Sequence, residues 1–350
     1  VSVLSYLIGD RVGEYIKVEK KNYKEDMDYK FLKNYIFIMT FLNILIFLII
    51  VKLIAGDIYG FLFKLHDRTR VFKGYHPLLI FQSFLLRGGL LLVIASNMHI
   101  YTKSILLIVN TMIMSLYGGR SSIFLFIFSL VVFRYLVNKK SPKLKEIVIF
   151  ILLISVIFAI YGLFFRYILP LGIVEIRIIE LYKLIEFNII NNILISLKQI
   201  DVLLKSVPKV YPFILGKSFI GLLGLFIPRY IWPEKPYGAG GLYSTIFYPS
   251  KYEEGTGIPP SLIGELYWNF SYLGVFLGSL FLGFFLRLLY RKALNSESIF
   301  YKGIYSITIS NLLIWIRNGS DAPTISWLTY LLSFLFSYFL VLNVKRLKSK

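Results

Sequence analysis

Eight stretches of the chain are almost free of charge, and each is close to the length that a membrane-spanning helix needs. A helix crosses the hydrocarbon core of a bilayer with about 20 mainly apolar residues. The stretches are 35–54, 78–96, 100–117, 121–137, 147–165, 272–290, 299–316 and 324–344. The sequence therefore predicts an all-α polytopic integral membrane protein with about eight transmembrane helices and a large external loop between the fifth and the sixth.

Composition supports the same class. The 350 residues are 57% hydrophobic and 17% charged, whereas soluble domains carry about 25% charged residues. The formal net charge of +20 would suggest a nucleic-acid partner in a soluble chain, but in a membrane protein it is a topology signal. With no Cys and three His, the chain offers no thiolate site and no His-rich cage, so we expect neither a metal nor another cofactor.

The basic segments predict the topology. An even number of spans places both ends on one side, and the positive-inside rule makes that side cytoplasmic. We expect residues 1–8 to be the end of a helix cut off by truncation, or an atypical start. The predicted order begins with a truncated helix end and a basic cytoplasmic segment (1–34), five transmembrane helices (35–165) and an external loop (166–271). Three transmembrane helices (272–344) and a basic cytoplasmic tail (345–350) follow.

The external loop is the longest hydrophilic segment of the chain. Residues 172–206 have helical periodicity with polar residues throughout, so we expect a helix on or above the membrane. Residues 213–227 are too short to span and are interpreted as re-entrant or interfacial. Residues 228–260 contain many Pro and Gly, which favours turns, and Ser261 is a candidate N-cap.

Charge is almost absent from the predicted spans. All 19 acidic residues fall outside them, which argues against an ion-coupled transporter, since such proteins place carboxylates in the membrane. Arg87 is the deepest charge. It could contact a phosphate, or it could simply pair with a carbonyl or a carboxylate at a helix end.

The first loop motif is IPRYIWPEKP at 227–236. Three prolines stiffen its backbone and preset the positions of Arg229 and Lys235. A rigid cationic loop beside a membrane suits diphosphate recognition, because Arg grips phosphate oxygens with two parallel bonds. The alternative is a structural turn anchored in the interface by Trp232 and Tyr230.

The second loop motif is GIPPSLIGELYWNF at 257–270. Glu265 falls in the first turn of the helix predicted to begin after Ser261, next to Tyr267 and Trp268. Its carboxylate and the two aromatic rings lie where the chain returns to the membrane, and they are candidate site residues. The alternatives are a carboxylate that complements the helix dipole and an interfacial aromatic belt.

Three weaker signals lie at the ends of hairpins and in the loop. Arg120 follows two glycines in a tight turn between the third and fourth spans, and Arg317 and Asp321 lie in the last hairpin. Each could be a plain interfacial or paired residue. The run Gly-Ala-Gly-Gly at 238–241 lacks the Lys-Ser/Thr of a P-loop and the strand-turn-helix context of a dinucleotide fold.

Together, the Gly-Gly-Arg hairpin, the two loop motifs and the final hairpin resemble the O-antigen polymerase family, the Wzy-type oligosaccharide repeat-unit polymerases. The similarity covers roughly residues 30–345. It implies a multi-pass glycosyltransferase of a bacterial or archaeal cytoplasmic membrane that polymerises polyprenyl-diphosphate-linked oligosaccharides on the outer face. It also implies a flippase and a chain-length regulator of the same pathway as partners, and no nucleic acid.

Two alternatives stay open: an O-antigen ligase, and a flippase or exporter of lipid-linked oligosaccharides. For the polymerase, we expect Glu265 to act as the base, with Asp321 and Glu234 as its rivals, and Arg229 to stabilise the leaving diphosphate. The predicted catalytic residues are Glu265, Arg229 and Asp321. The predicted substrate-binding residues are Arg120, Lys235, Arg87, Trp232, Arg317, Tyr267 and Trp268.

Overall fold

The computed structural model describes residues 1–18, 27–65, 71–72, 74–117, 120–139, 142–150, 152, 195–224, 227, 230–253 and 257–348, with the backbone alone at 76, 117, 120–122 and 345–348. No strand occurs among these residues. The helices are α1 (Ser2–Tyr15), α2 (Tyr29–Ala55), α3 (Ile58–Lys64), α4 (His76–Ala95), α5 (Ile100–Tyr117), α6 (Arg120–Val137), α7 (Lys217–Leu223), α8 (Ala239–Phe247), α9 (Pro249–Glu253), α10 (Leu262–Asn295), α11 (Ile299–Asn318) and α12 (Asp321–Lys348).

Seven of the eight predicted apolar stretches coincide with helices, namely α2, α4, α5, α6, α10, α11 and α12. The eighth, 147–165, lies mostly outside the described residues, as does most of the predicted helix at 172–206. Five of the helices in the described part are long and apolar enough to cross a membrane, and α5 and α6 contain shorter apolar stretches. The predicted class of an all-α polytopic membrane protein is confirmed.

The N-terminal helix α1 is longer than its apolar start suggested and packs along α10. The two helices touch backbone to backbone, because a Cβ at Gly9 or at Gly283 would overlap a backbone oxygen of the facing helix. Small residues of this kind allow close packing of helices in membranes. Arg287 of α10 also pairs with Glu14 of α1 at 2.9 Å.

The chain divides into two compact units. Unit 1 comprises residues 1–21, 189–296 and 308–328, and unit 2 comprises residues 22–188, 297–307 and 329–350. In unit 2, polar side chains join α2, α4 and α5: Asn43 Nδ2 donates to Asn110 Oδ1 (2.7 Å), Asn110 Nδ2 donates to Thr40 Oγ1 (2.9 Å), and Gln82 donates to Asn43. Such bonds hold apolar helices in register where the bilayer gives no hydrophobic drive.

We expect Asn110→Leu to destabilise the protein by about 1 kcal/mol, because it removes hydrogen bonds between helices in the membrane and leaves Thr40 and Asn43 without those partners. Unfolding of the purified protein in detergent measures the change. Asn97→Leu at an exposed position is the matched control. Equal unfolding free energies for the two variants would contradict the prediction.

Unit 1 contains the second loop motif and its neighbours. Its core is an aromatic cluster around Trp268, Tyr243 and Tyr267. The cluster packs on Leu203 of the helical segment 195–206 and on Val207 in the turn that follows it. The remaining helices of this region are short. Helix α7 lies within the predicted re-entrant stretch 213–227 and has 7 residues, while α8 and α9 have 9 and 5 residues. This core fixes the beginning of α10, where the candidate site lies.

Candidate functional site

The entry into α10 is built as the second motif predicts. Ser261 is the N-cap, and its Oγ accepts a hydrogen bond from the Gly264 N–H at 3.1 Å. Its φ of 65° is a left-handed value that costs a residue other than glycine about 1–3 kcal/mol, so the surroundings must hold it in place. The helix is interrupted at Phe270 and Ser271. Glu265 therefore lies on a short, fixed first segment.

Glu265 is fully buried, and its carboxylate is held by neutral donors. Oε1 accepts from Ser218 Oγ at 2.8 Å and from Ser320 Oγ at 2.6 Å, while Oε2 accepts from the Ser320 backbone N–H at 2.7 Å. No Lys or Arg of the described chain pairs with it. Because burial of an unpaired charge is costly, these three bonds are what makes the position tolerable for a carboxylate.

Asn269, one turn further along α10, supports the same cluster. Its Nδ2 donates to Ser218 Oγ at 2.9 Å and to the Glu265 carbonyl at 2.8 Å. Its Oδ1 accepts from the Gly216 N–H at 2.8 Å. Asn269 thereby fixes the start of α7 against α10, and Ser218 with it.

Asp321 lies next to Ser320 and caps a different helix. Its Oδ1 accepts from the Ala239 N–H at 3.1 Å and its Oδ2 accepts from the Gly240 N–H at 2.7 Å, so the carboxylate sits at the N-terminus of α8. A Cβ at Gly238 would overlap this carboxylate. Asp321 is half-buried, and a helix N-terminus stabilises negative charge.

The Gly-Ala-Gly-Gly run is therefore a cradle for a carboxylate of the chain itself. Sequence reasoning compared it with nucleotide motifs and missed this contact, although a glycine run directly before a helix is a signal for an anion-holding turn. Ser218, Ser320 and Asn269 were missed as well. The one local hint for Ser320 was its place directly before the candidate residue Asp321, at the start of the last helix.

The aromatic residues of the second motif lie in the core of unit 1. Trp268 is fully buried, and Tyr267 is buried and donates its hydroxyl to the Val207 carbonyl at 3.1 Å. Burial raises the pKa of the neighbouring Tyr243 phenol far above its ordinary value, so it stays a neutral donor to the Gln199 carbonyl at 3.2 Å. Sugar stacking on Tyr267 or Trp268 stays a prediction, and these rings have a packing role.

The predicted cationic residues are only partly covered by the described chain. Lys235 is half-buried, and its Nζ donates to the carbonyls of Gly224 and Ile227, both at 3.0 Å, with Trp232 beside Gly224. Arg317 is exposed. Arg229 lies outside the described residues, and Arg120 begins α6 with its backbone alone described.

Arg87 belongs to α4 in unit 2. Its Nε is buried and has no hydrogen-bond partner in the described part of the chain. The adjacent Gly88 N–H donates to Ser333 Oγ at 2.7 Å, which brings α4 and α12 into close contact. A role of Arg87 in binding phosphate stays a prediction.

Comparison with known proteins decides the family. The family model for the O-antigen polysaccharide polymerase Wzy matches residues 1–349. The chain belongs to this family. The resemblance stated from its loop motifs and hairpins is confirmed. No curated protein and no solved structure matches the chain.

As a Wzy family member, the chain is a multi-pass membrane protein whose activity is polymerisation of O-antigen repeat units, a glycosyltransferase-type reaction. Glycosyl transfer to a hydroxyl requires that the hydroxyl lose its proton, and a positioned carboxylate is suited to take it. Glu265 and Asp321 are the carboxylates that the described site brings together. No group of three or more His, Asp or Glu in the described chain could hold a metal ion.

Proposed function

We propose that this chain polymerises polyprenyl-diphosphate-linked oligosaccharide units on the outer face of the cytoplasmic membrane. The growing glycan leaves its lipid diphosphate and is joined to a sugar hydroxyl of the next unit. The observation that carries the proposal is the half-buried Asp321 carboxylate, which backbone N–H groups of α8 orient next to the buried Glu265 cluster.

Asp321 is the general base of this proposal. The backbone N–H groups of Ala239, Gly240 and Gly241 bind its two oxygens, which have about four acceptor sites between them, so one site remains for an acceptor hydroxyl. The proton moves to Asp321 while the hydroxyl oxygen bonds to the anomeric carbon. The bond from that carbon to the diphosphate breaks, and its electron pair leaves with the diphosphate. Glu265 was the first choice from sequence, but it is fully enclosed.

Cations must stabilise the leaving diphosphate, whose negative charge grows as the bond breaks. We assign this role to Arg229, with Arg317 of the same unit as a further contact. The phosphate-binding roles of Arg120 and Arg87 stay predictions. Lys235 and Trp232 hold the shape of the loop that carries Arg229, since the Lys235 ammonium is bound to two backbone carbonyls.

The test is reconstitution of the purified protein in liposomes that contain a lipid-linked repeat unit. We expect a ladder of lipid-linked polymers without any nucleotide sugar. Transfer of the glycan to lipid A core or to a protein, without a ladder, would make the chain a ligase. Exchange of the lipid-linked unit between leaflets, without new bonds, would make it a flippase. A flippase and a chain-length regulator of the pathway are proposed as partners in the cell.

The proposed sidedness has its own test. We expect a cysteine introduced at Lys251, an exposed position of α9, to react with an impermeant maleimide in intact cells, because residues 166–271 are proposed to be external. A cysteine at Lys143, in the proposed cytoplasmic turn, is the matched control and should react only after lysis. The native chain contains no Cys to confuse the labelling. Labelling at 251 only after lysis would overturn the proposed topology.

A further inference from the structure

Glu265 connects three segments of unit 1 that are far apart in sequence. Its carboxylate binds Ser218 of α7 and Ser320 before α12, and it lies itself on α10. The next residue after Ser320, Asp321, continues the chain of contacts to the N-terminus of α8. The buried Glu265 carboxylate therefore links the start of α10, in the second motif, to the turn before Asp321 in the last hairpin.

The turn at 319–320 has little freedom to move away from Glu265. Gly319 has a φ of +74°, and a Cβ there would lie 2.9 Å from Glu265 Oε2. Ser320 is bound through its hydroxyl and also through its backbone N–H, so the carboxylate fixes the main chain directly before Asp321. These two bonds to Ser320 therefore define the direction of the Cα–Cβ bond of Asp321.

We propose that Glu265 is a positioning residue for the polymerisation reaction, which acts through Ser320 to hold the Asp321 carboxylate in line with the acceptor hydroxyl. This inference rests on the proposed function of Asp321. It assigns Glu265 neither to proton transfer nor to substrate contact, because the side chain has no exposed surface. It also gives a reason for an ionisable side chain at a buried position, where an apolar side chain would cost less to bury.

Glu265→Gln tests this role because it keeps the size of the side chain. It replaces one carboxylate oxygen, which accepts hydrogen bonds, by an amide N–H group, which donates them. The amide oxygen must then face the Ser320 N–H, and the Ser218 and Ser320 hydroxyls must turn round to accept from the amide N–H group. Charge-assisted bonds become neutral ones, so the turn is held less firmly. We expect the kcat of polymerisation to fall about 10²-fold, the loss typical of a misplacement of about 1 Å, while KM for the lipid-linked unit stays within about twofold. Glu253→Gln, on exposed α9, is the matched control.

A double-variant cycle separates positioning from the other roles. If Glu265 acts through Asp321, Glu265→Gln has no further effect on the residual rate of the Asp321→Asn protein. Losses that multiply in the double variant would show an independent contribution of Glu265 and would overturn the inference. If Asp321→Asn is fully active while Glu265→Gln is not, the proposed base is wrong, and the positioning role that rests on it is wrong as well. A normal rate for Glu265→Gln with an inactive Asp321→Asn would overturn the positioning role alone.

A second pair of variants keeps the test valid if Glu265→Gln folds poorly. Ser320→Ala and Ser218→Ala each remove one hydroxyl donor from the same atom, Glu265 Oε1. Ser218→Ala also removes the acceptor of the Asn269 amide, so a purely structural carboxylate would make Ser218→Ala the more damaging variant in stability and in rate. The positioning role predicts that Ser320→Ala is at least as stable as Ser218→Ala but has a kcat at least tenfold lower. Equal kcat values would overturn the inference.

Discussion

Asp321→Asn should lower the rate of repeat-unit polymerisation by about 10²- to 10⁴-fold, the usual contribution of a general base. An amide cannot take the proton of a sugar hydroxyl, although it is almost the same size as the carboxylate. The measurement is the rate at which the polymer ladder grows in liposomes at equal amounts of inserted protein.

Loss of packing is the competing explanation for such a result. An Asn at 321 keeps one oxygen to accept from the Ala239 or the Gly240 N–H, so it gives up one hydrogen bond to α8, about 1 kcal/mol. We therefore expect a small decrease in unfolding temperature beside a large decrease in rate. Asp201→Asn, which removes an exposed ion pair with Lys205, is the matched control and should keep the wild-type rate. Wild-type polymer growth by Asp321→Asn would eliminate Asp321 as the base.

Much of the fold could be predicted because membrane helices are determined by local composition. Apolar stretches of the right length predicted α2, α4, α10, α11 and α12, since lipid requires each segment to satisfy its own backbone hydrogen bonds. The N-cap at Ser261 was equally local, since a serine after two prolines and before an apolar run offers its hydroxyl to the first turn.

The contacts of the site could not be predicted in the same way, because they join residues distant in the chain. Ser320 meets Glu265 across 55 positions, and Asp321 meets Ala239 across 82. Trp268 and Tyr267 were ambiguous for another reason: an aromatic pair near a membrane has the same composition whether it faces the interface or a core, and tertiary packing placed both in the core.

Lys235 shows how one cation of a motif can have a role different from that of its neighbour. Its position between Pro233 and Pro236 predicted a preset cation, but the structure binds its ammonium to the Gly224 and Ile227 carbonyls near the end of α7. A lysine that satisfies carbonyls at a helix C-terminus stabilises that end. Within the motif, Arg229 is therefore the residue that we propose for diphosphate binding.

Arg229→Lys should reduce polymerisation at least tenfold, and Arg229→Ala about 10²-fold, at equal protein level. Lysine keeps the positive charge but loses the planar fork that binds two phosphate oxygens at once. Removal of a single preset donor from a developing anion costs about 10²- to 10³-fold in other enzymes. We expect the prolines of the motif to limit the movement that would bring another donor to the same place.

Arg11→Lys and Lys235→Ala are the controls for the Arg229 variants. Arg11 is exposed and pairs with Glu14 at 3.1 Å, so Arg11→Lys makes the same chemical change away from the loop and should leave polymer growth unchanged. Lys235→Ala should lower thermal stability, because two carbonyls lose their donor, and its loss of rate should follow its loss of folded protein. Arg229→Ala should instead lose rate at full stability. Unchanged chain length and turnover in Arg229→Ala would show that another cation stabilises the diphosphate.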